Sequence, residues 1–124
     1  VGFFKRKIAR LNESDETRLA EELQEWARTA VPDSIPIALA KPRTRVRLAG
    51  VVRRITVRPV HGFDALQVKL YDGTGDVAIQ WLGRRTITGL TLGSRLVVEG
   101  MLGMEAGDRK VVNPVYEFLP APEA

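Results

Sequence analysis

The sixteen residues Leu66-Gln-Val-Lys-Leu-Tyr-Asp-Gly-Thr-Gly-Asp-Val-Ala-Ile-Gln-Trp81 constrain the fold more than any other part of the chain. Two runs alternate apolar and polar residues on either side of Asp72-Gly-Thr-Gly75. Leu66, Val68 and Leu70 share one face of the first run, and Gln67, Lys69 and Tyr71 share the other. In the second run Val77, Ile79 and Trp81 oppose Ala78, Gln80 and Leu82. Period-two alternation about a Gly-rich turn predicts a β-hairpin. Its outward set combines a cation, amides and an aromatic ring, the side chains that a single-stranded nucleic-acid platform uses.

The rest of the chain is consistent with a small β domain. Its 124 residues suit one domain, and 44% hydrophobic residues suffice for a modest core. There is no Cys and one His. A disulfide framework, a thiol nucleophile and a structural zinc site are therefore excluded, and no cofactor is implied. The absence of Cys fits a cytoplasmic location. No apolar run approaches the ~18 residues of a membrane span. The basic start, residues 1–10, has no h-region and is read as no secretory signal. The formal net charge of +4 favours polyanionic partners. Arg outnumbers Lys by 14 to 5, which either serves bidentate phosphate contacts or reflects a GC-rich genome.

Residues 1–43 read as a basic N-terminus, an amphipathic helix over 11–30 and a linker. Leu19, Leu23, Trp26, Ala27 and Ala30 recur at helical spacing. Asn12 or Ser14 is the expected N-cap, with acidic residues in the first turn. Pro32, Pro36 and Pro42 make residues 31–43 an extended linker. From Thr44 the pattern is β. A long first strand, 44–58, is interrupted by Gly50, the mark of a bend or bulge. Residues 59–64 read as a loop, and the hairpin follows. Residues 83–94 are a Gly/Thr-rich connection with Ile87, Leu90 and Leu92 as plugs. Two more strands are expected at 95–104 and 109–118, with Pro114 disturbing the last. Residues 119–124 read as a disordered tail.

Five strands with a long bent first strand predict a mainly β OB-fold barrel over 44–118, preceded by the N-terminal helix. Val46-Arg-Leu-Ala-Gly-Val-Val52, Leu70-Tyr-Asp-Gly-Thr-Gly75, Gly93-Ser-Arg-Leu-Val-Val-Glu-Gly100 and Val112-Asn-Pro114 carry the likeness. With these segments the chain resembles the OB-fold nucleic-acid-binding family. That family includes the anticodon-binding domains of tRNA synthetases, an OB domain of bacterial replicative polymerases and the wedge domain of replication-fork helicases. The Asn-Pro pair is shared with the wedge domain. The whole chain resembles a small stand-alone OB protein of high-GC Gram-positive bacteria. The resemblance implies nucleic-acid binding, with DNA favoured over RNA by the wedge likeness. Many OB folds carry a plugging helix between strands three and four. Here that segment is Gly-rich, so Leu19, Leu23 and Trp26 of the N-terminal helix are expected to supply the plug.

Candidate binding residues cluster on and around the hairpin. Arg43, Arg45, Arg47, Arg53, Arg54 and Arg58 fall within sixteen residues that contain no acid. They are read either as a phosphate-tracking strip or as a solvated face paired to the acidic helix. Tyr71, Lys69, Gln67 and Gln80 are the outward positions of the hairpin, with Tyr71 expected to be exposed beside Lys69 and across from Gln80. Phe63 either adds a second stacking ring or packs on the rim. Trp81 shares the parity of Val77 and Ile79 and is assigned to the core or rim. Arg84 and Arg85, just after the third strand, and Arg109 and Lys110, at the start of the fifth, border the groove as phosphate clamps or as solvated loop residues. His61 is a lone exposed imidazole. No G-x-S-x-G, Walker, H-E-x-x-H or Rossmann motif is present, so no enzyme is expected. Asp72-Gly-Thr-Gly75 superficially matches an aspartic-protease triplet, but a single copy on a tight turn reads as a turn.

The leading expectation is thus a non-enzymatic module for single-stranded nucleic acid with little sequence readout. The alternative is a protein–protein adaptor acting through the barrel or the acidic helix. A third reading places Phe3-Phe-Lys-Arg-Lys7 against anionic lipid.

Overall fold

The computed structural model describes the backbone of residues 2–120 and the side chains of residues 14–120. The expected lipid contact at residues 3–7 and residues 121–124 of the expected tail lie outside the described side chains, while Leu119, the first residue of that tail, instead ends the last strand. Among the described residues no helix is long and apolar enough to cross a membrane. The elements are α1 (Gly2–Ala30), a 3-10 turn (Ile37–Leu39), β1 (Arg45–Val60), β2 (Phe63–Tyr71), β3 (Asp76–Leu82), β4 (Arg95–Glu105), β5 (Asp108–Val112) and β6 (Val115–Leu119). The helix therefore runs longer than the periodicity of 11–30 predicts. Asn12 and Ser14 lie inside it rather than at its start.

β1 is long because it serves two neighbours. Residues 45–51 pair with β4, and residues 51–60 pair with β2. The change of partner falls next to Gly50, where a Cβ would stand 2.7 Å from the Tyr71 carbonyl oxygen. Only a glycine admits that approach. A register shift between Val52 and Arg54 then bends the strand onward. The ring β1-β2-β3-β5-β4 closes through the β1–β4 pairing, giving the expected five-stranded, OB-like barrel.

β5 and β6 are two segments of the expected fifth strand, both antiparallel to β4. Between the pairs Leu102↔Val111 and Glu99↔Val115 the register slips by one residue. The slip falls at Asn113-Pro114, with Asn113 at φ +51°. The Asn113 N–H donates to the Gln80 carbonyl (2.7 Å), and Asn113 Oδ1 accepts from the Leu82 N–H (2.9 Å). The Asn-Pro pair thus bends the strand while Asn113 keeps β3 hydrogen-bonded.

The core is the inward face that alternation predicts. It holds Val46, Leu48 and Val52 of β1, Leu66, Val68 and Leu70 of β2, Val77, Ile79 and Trp81 of β3, and Leu96, Val98 and Leu102 of β4. Among the described residues no side chain of α1 belongs to the barrel core. Ala27 and Val31 instead pack with Trp26 on Ala49, Val97 and Leu119, on the outer side of β1, β4 and β6. Leu23 is buried, but Leu19 is largely exposed. Ile37, fully buried, and Ala40 enter the core from the segment read as an extended linker. At another part of the core Ile87 and Leu90 pack from the helix-free connection, whereas Leu92 is exposed.

Asp72 fastens Ile37 in place. This residue is 4% exposed. Its Oδ2 accepts from the Ile37 N–H (2.9 Å), and its Oδ1 accepts from the Thr74 N–H (2.8 Å), the Thr74 hydroxyl (2.6 Å) and the Gly75 N–H (3.2 Å). Next to it Gly73, at φ +92°, meets α1 so closely that a Cβ would lie 2.2 Å from the Ala20 carbonyl oxygen. The hairpin turn is therefore a clasp for both the helix and the 3-10 turn. Asp72→Ala is expected to destabilise the domain by about 2–3 kcal/mol, since buried donors lose their acceptor. A urea melt measures it, and a midpoint unchanged from wild type would show that Ile37 needs no such anchor.

Candidate functional site

The outer face of β1, β2, β3 and β5 gathers the polar residues left over when alternation has filled the core. The register places Arg54 opposite Lys69, Thr56 opposite Gln67 and Arg58 opposite Ala65. On the other side of β2, Gln67 faces Gln80 and Lys69 faces Ala78. β5 then sets Lys110 beside Ala78 and Val112 beside Gln80. Two tight turns flank this face. The β1–β2 turn is His61-Gly62 alone, because the strands run on through the predicted loop. The β4–β5 turn is Ala106-Gly107, with both residues at positive φ.

The basic strand divides into two groups. Arg45 pairs with Glu99 (2.9 Å) and Arg47 with Asp33 (3.1 Å), so these charges are already met. Arg53, Arg54, Arg58 and Lys69 have no carboxylate within ion-pair distance among the described residues. Asp33 belongs to the segment after α1, and among the described residues no acid of the helix pairs with these arginines.

Tyr71 is not the open platform expected. It is half-buried, and the Arg53 guanidinium lies 3.6 Å from its ring centroid. Arg53 sits at the bulge of β1, which turns its side chain over the neighbouring strand. A cation–π contact of this kind contributes about 0.5–1 kcal/mol at an exposed site. Gln80 departs further. It stands across from Gln67 rather than Tyr71, donates to Gln67 Oε1 (3.3 Å) and is 3% exposed. The arrival of β5 alongside β3 covers it. Phe63 is in β2 rather than in a loop and is 70% exposed, so it does not pack on the rim. Leu82 and Val112 are also exposed on this outer face.

The flanking cations differ as well. Arg84 donates to the Tyr116 hydroxyl (3.2 Å), and Arg85 pairs with Asp64 (3.0 Å). Arg109 donates to the Ala38 carbonyl (3.1 Å) and so buttresses the 3-10 turn while still lining the groove. Each is engaged within the fold rather than held free as a clamp. Lys110 does face the groove, where it is ion-paired to Glu105. The hydrogen bond and charge of Lys110 hold the Glu105 carboxyl below the usual carboxylate range, and the charge of Arg58 adds to the effect.

The floor carries two adjoining hollows. One, of about 260 Å³, lies over Gln67 and Ala78; the other, of about 300 Å³, lies over Gln80 and Leu82. Arg58, Glu105 and Lys110 line both, and His61 lines the second. Cations at the walls and amides on the floor suit a polyanionic strand with planar bases.

No protein-family model matches the chain, and no curated protein sequence matches it. Among solved structures, the fold is similar to part of the chain in a structure of RecG bound to a three-way DNA junction. The TM-score is 0.52 and the sequence identity 21%. The match covers 64% of this chain and 11% of that one. The chain thus corresponds to about a tenth of that protein, and at this identity the likeness is one of fold.

Sequence reasoning missed Glu105, which stands in the groove wall. Its signal is local: Glu105-Ala-Gly-Asp108 is a turn that sets an acid just before Arg109 and Lys110 are reached on the returning strand. It also missed Ile37, whose apolar side chain stands out among the prolines of the linker.

Proposed function

We propose that this chain is a non-enzymatic binding module for single-stranded nucleic acid, DNA rather than RNA. It binds across the outer face of β1, β2, β3 and β5 with little sequence readout. The observation that carries this reading is the set Arg54, Arg58 and Lys69. Among the described residues these three cations lack ion-pair partners, and they share one face with the Gln67–Gln80 amides between two short turns. From Tyr71 at one end of β2 to Phe63 at the other, the face extends about 27 Å at the usual rise of a strand. Phosphates engage the cations, and bases lie over Gln67 and the exposed Phe63. The solved structure of similar fold contains DNA, which supports this class of ligand.

Fluorescence-anisotropy titration with single-stranded DNA, single-stranded RNA and duplex DNA tests the reading. Single strands are expected to bind more tightly than duplex. Three cation–phosphate contacts should give an affinity loss of about 20-fold between 50 and 200 mM salt. Tighter binding of RNA would reverse the preference within the same site. No binding of any probe at low salt would transfer the face to a protein partner.

A further inference from the structure

We propose that Arg58 and Lys110 form a phosphate subsite where the two hollows adjoin, and that the Glu105 carboxylate occupies it in the free protein. A nucleic-acid strand then enters by displacing that carboxylate. The inference rests on the groove being a nucleic-acid interface and adds to it a defined subsite with a built-in competitor.

Three observations point to the competitor. First, the register fixes Glu105 opposite Asp108 at the mouth of a two-residue turn whose residues both have positive φ. Glu105 therefore sits at the edge of the groove, on a short and well-defined turn. Second, its carboxylate is hydrogen-bonded by the Lys110 ammonium, and Arg58 acts on it electrostatically from β1. Lys110 alone contacts the carboxylate, while Arg58 stands beyond ion-pair distance and lines the same two hollows. Third, Arg58, Glu105 and Lys110 are common to both hollows, so the carboxylate stands at their boundary.

The two partners differ in freedom. The Lys110 side chain is 20% exposed, whereas that of Glu105 is 67% exposed. The cation is held by the strand, and the acid can rotate into solvent. When it does, Arg58 and Lys110 remain at the boundary between the hollows over Gln67 and Gln80. A backbone phosphate supplies the same charge and the same acceptor oxygens there. An exposed ion pair is a weak contact, so a phosphate that reaches both cations displaces it. The contact lowers affinity for isolated anions more than for a strand that also reaches Arg54 and Lys69.

The test is an anisotropy titration with fluorescein-labelled oligothymidylate of about 15 nucleotides, within the span of one OB fold. Wild type, Glu105→Gln and Glu105→Ala are compared at two salt concentrations. Both variants are expected to bind about fivefold more tightly at low salt, since a like-charged competitor has gone. Their salt dependence should steepen by about 0.7 in log–log slope, because Lys110 becomes one further phosphate contact. Adding Arg58→Gln should cost more affinity in the Glu105→Gln background than in wild type, the coupling of groups at one subsite. If wild type binds and both Glu105 variants match it in affinity and slope, or bind more weakly, the subsite is refuted while the interface stands. If none of the proteins binds the probe, the interface itself falls and the subsite with it.

Discussion

Trp81→Ala is expected to lower the melting temperature by about 10–20 °C, from a loss of about 3–5 kcal/mol. The ring is 5% exposed and belongs to the main core. It meets Tyr116 edge-on, with centroids 5.3 Å apart and planes at 71°. Tyr116 in turn meets Phe118 edge-on at 6.2 Å. Truncation removes the first ring of this run and opens a void in the cluster that also holds Val77, Ile79 and Val111. It also leaves the Pro114 carbonyl without the Trp81 Nε1 donor, which lies 3.3 Å away. That carbonyl adjoins the bulge at Asn113, so the kink between β5 and β6 loses a support. Tyr71→Ala provides the contrast. Its ring is only half-buried and is covered by Arg53, so the stability loss should stay near ~1 kcal/mol. Single-strand affinity should fall through the change at Arg53. Thermal melts of the two variants, monitored by circular dichroism, separate the roles. A Trp81→Ala protein that melts with wild type would remove the ring from the core.

The contrast between these two aromatics shows what alternation encodes. Parity along the hairpin assigns Trp81 to the inside correctly, because the face of a strand residue is a local property. The same rule puts Gln80 and Tyr71 outside, and both do project from the barrel's outer side. Their exposure is not legible, since it depends on what arrives from elsewhere in the chain. β5 comes to lie parallel to β3 and covers Gln80, and the bulge in β1 swings the Arg53 guanidinium over Tyr71.

The placement of the helix escapes the sequence for a related reason. The stripe through Leu23 and Ala27 announces a covered face, but an amphipathic stripe does not name the surface that covers it. Ala49 and Val97 supply that surface: they are small or apolar residues at outward positions of β1 and β4. The contribution of Ile37 to the core is hidden because it lies among prolines, and its burial depends on a carboxylate 35 residues away. The fold class is legible because it follows from strand count, bends and connections. The groove is legible only in part. Its cations are visible in the sequence, but which of them the fold neutralises is decided by Asp33, Asp64, Glu99 and Glu105, all distant in sequence from the cations concerned or across a turn from them.

That division of the arginines yields the largest expected effect on binding. Replacing Arg54 and Arg58 together by Glu should weaken single-stranded DNA binding about 100-fold at moderate salt and flatten the log–log salt slope by about 1.4, two contacts at ~0.7 each. Both residues lie on outward positions of β1, opposite Lys69 and Ala65, and neither has an ion-pair partner among the described residues. Reversal therefore removes two available cations and places two anions in the path of the strand. Replacing Arg45 and Arg47 by Glu is the matched control. It changes the net charge by the same amount, taking the formal +4 to zero. These arginines sit beside Glu99 and Asp33, on the half of β1 that pairs with β4. Their loss acts on a bound strand mainly through screened, long-range charge, which fades over about 10 Å at 0.1 M salt. The control should cost no more than about threefold in affinity and leave the slope nearly unchanged. Anisotropy titrations of the two double variants across a salt series compare them directly. Equal losses would mean that bulk charge, rather than this face, draws the ligand. A large loss confined to the Arg45 and Arg47 variant would move the interface to the β1–β4 side of the barrel.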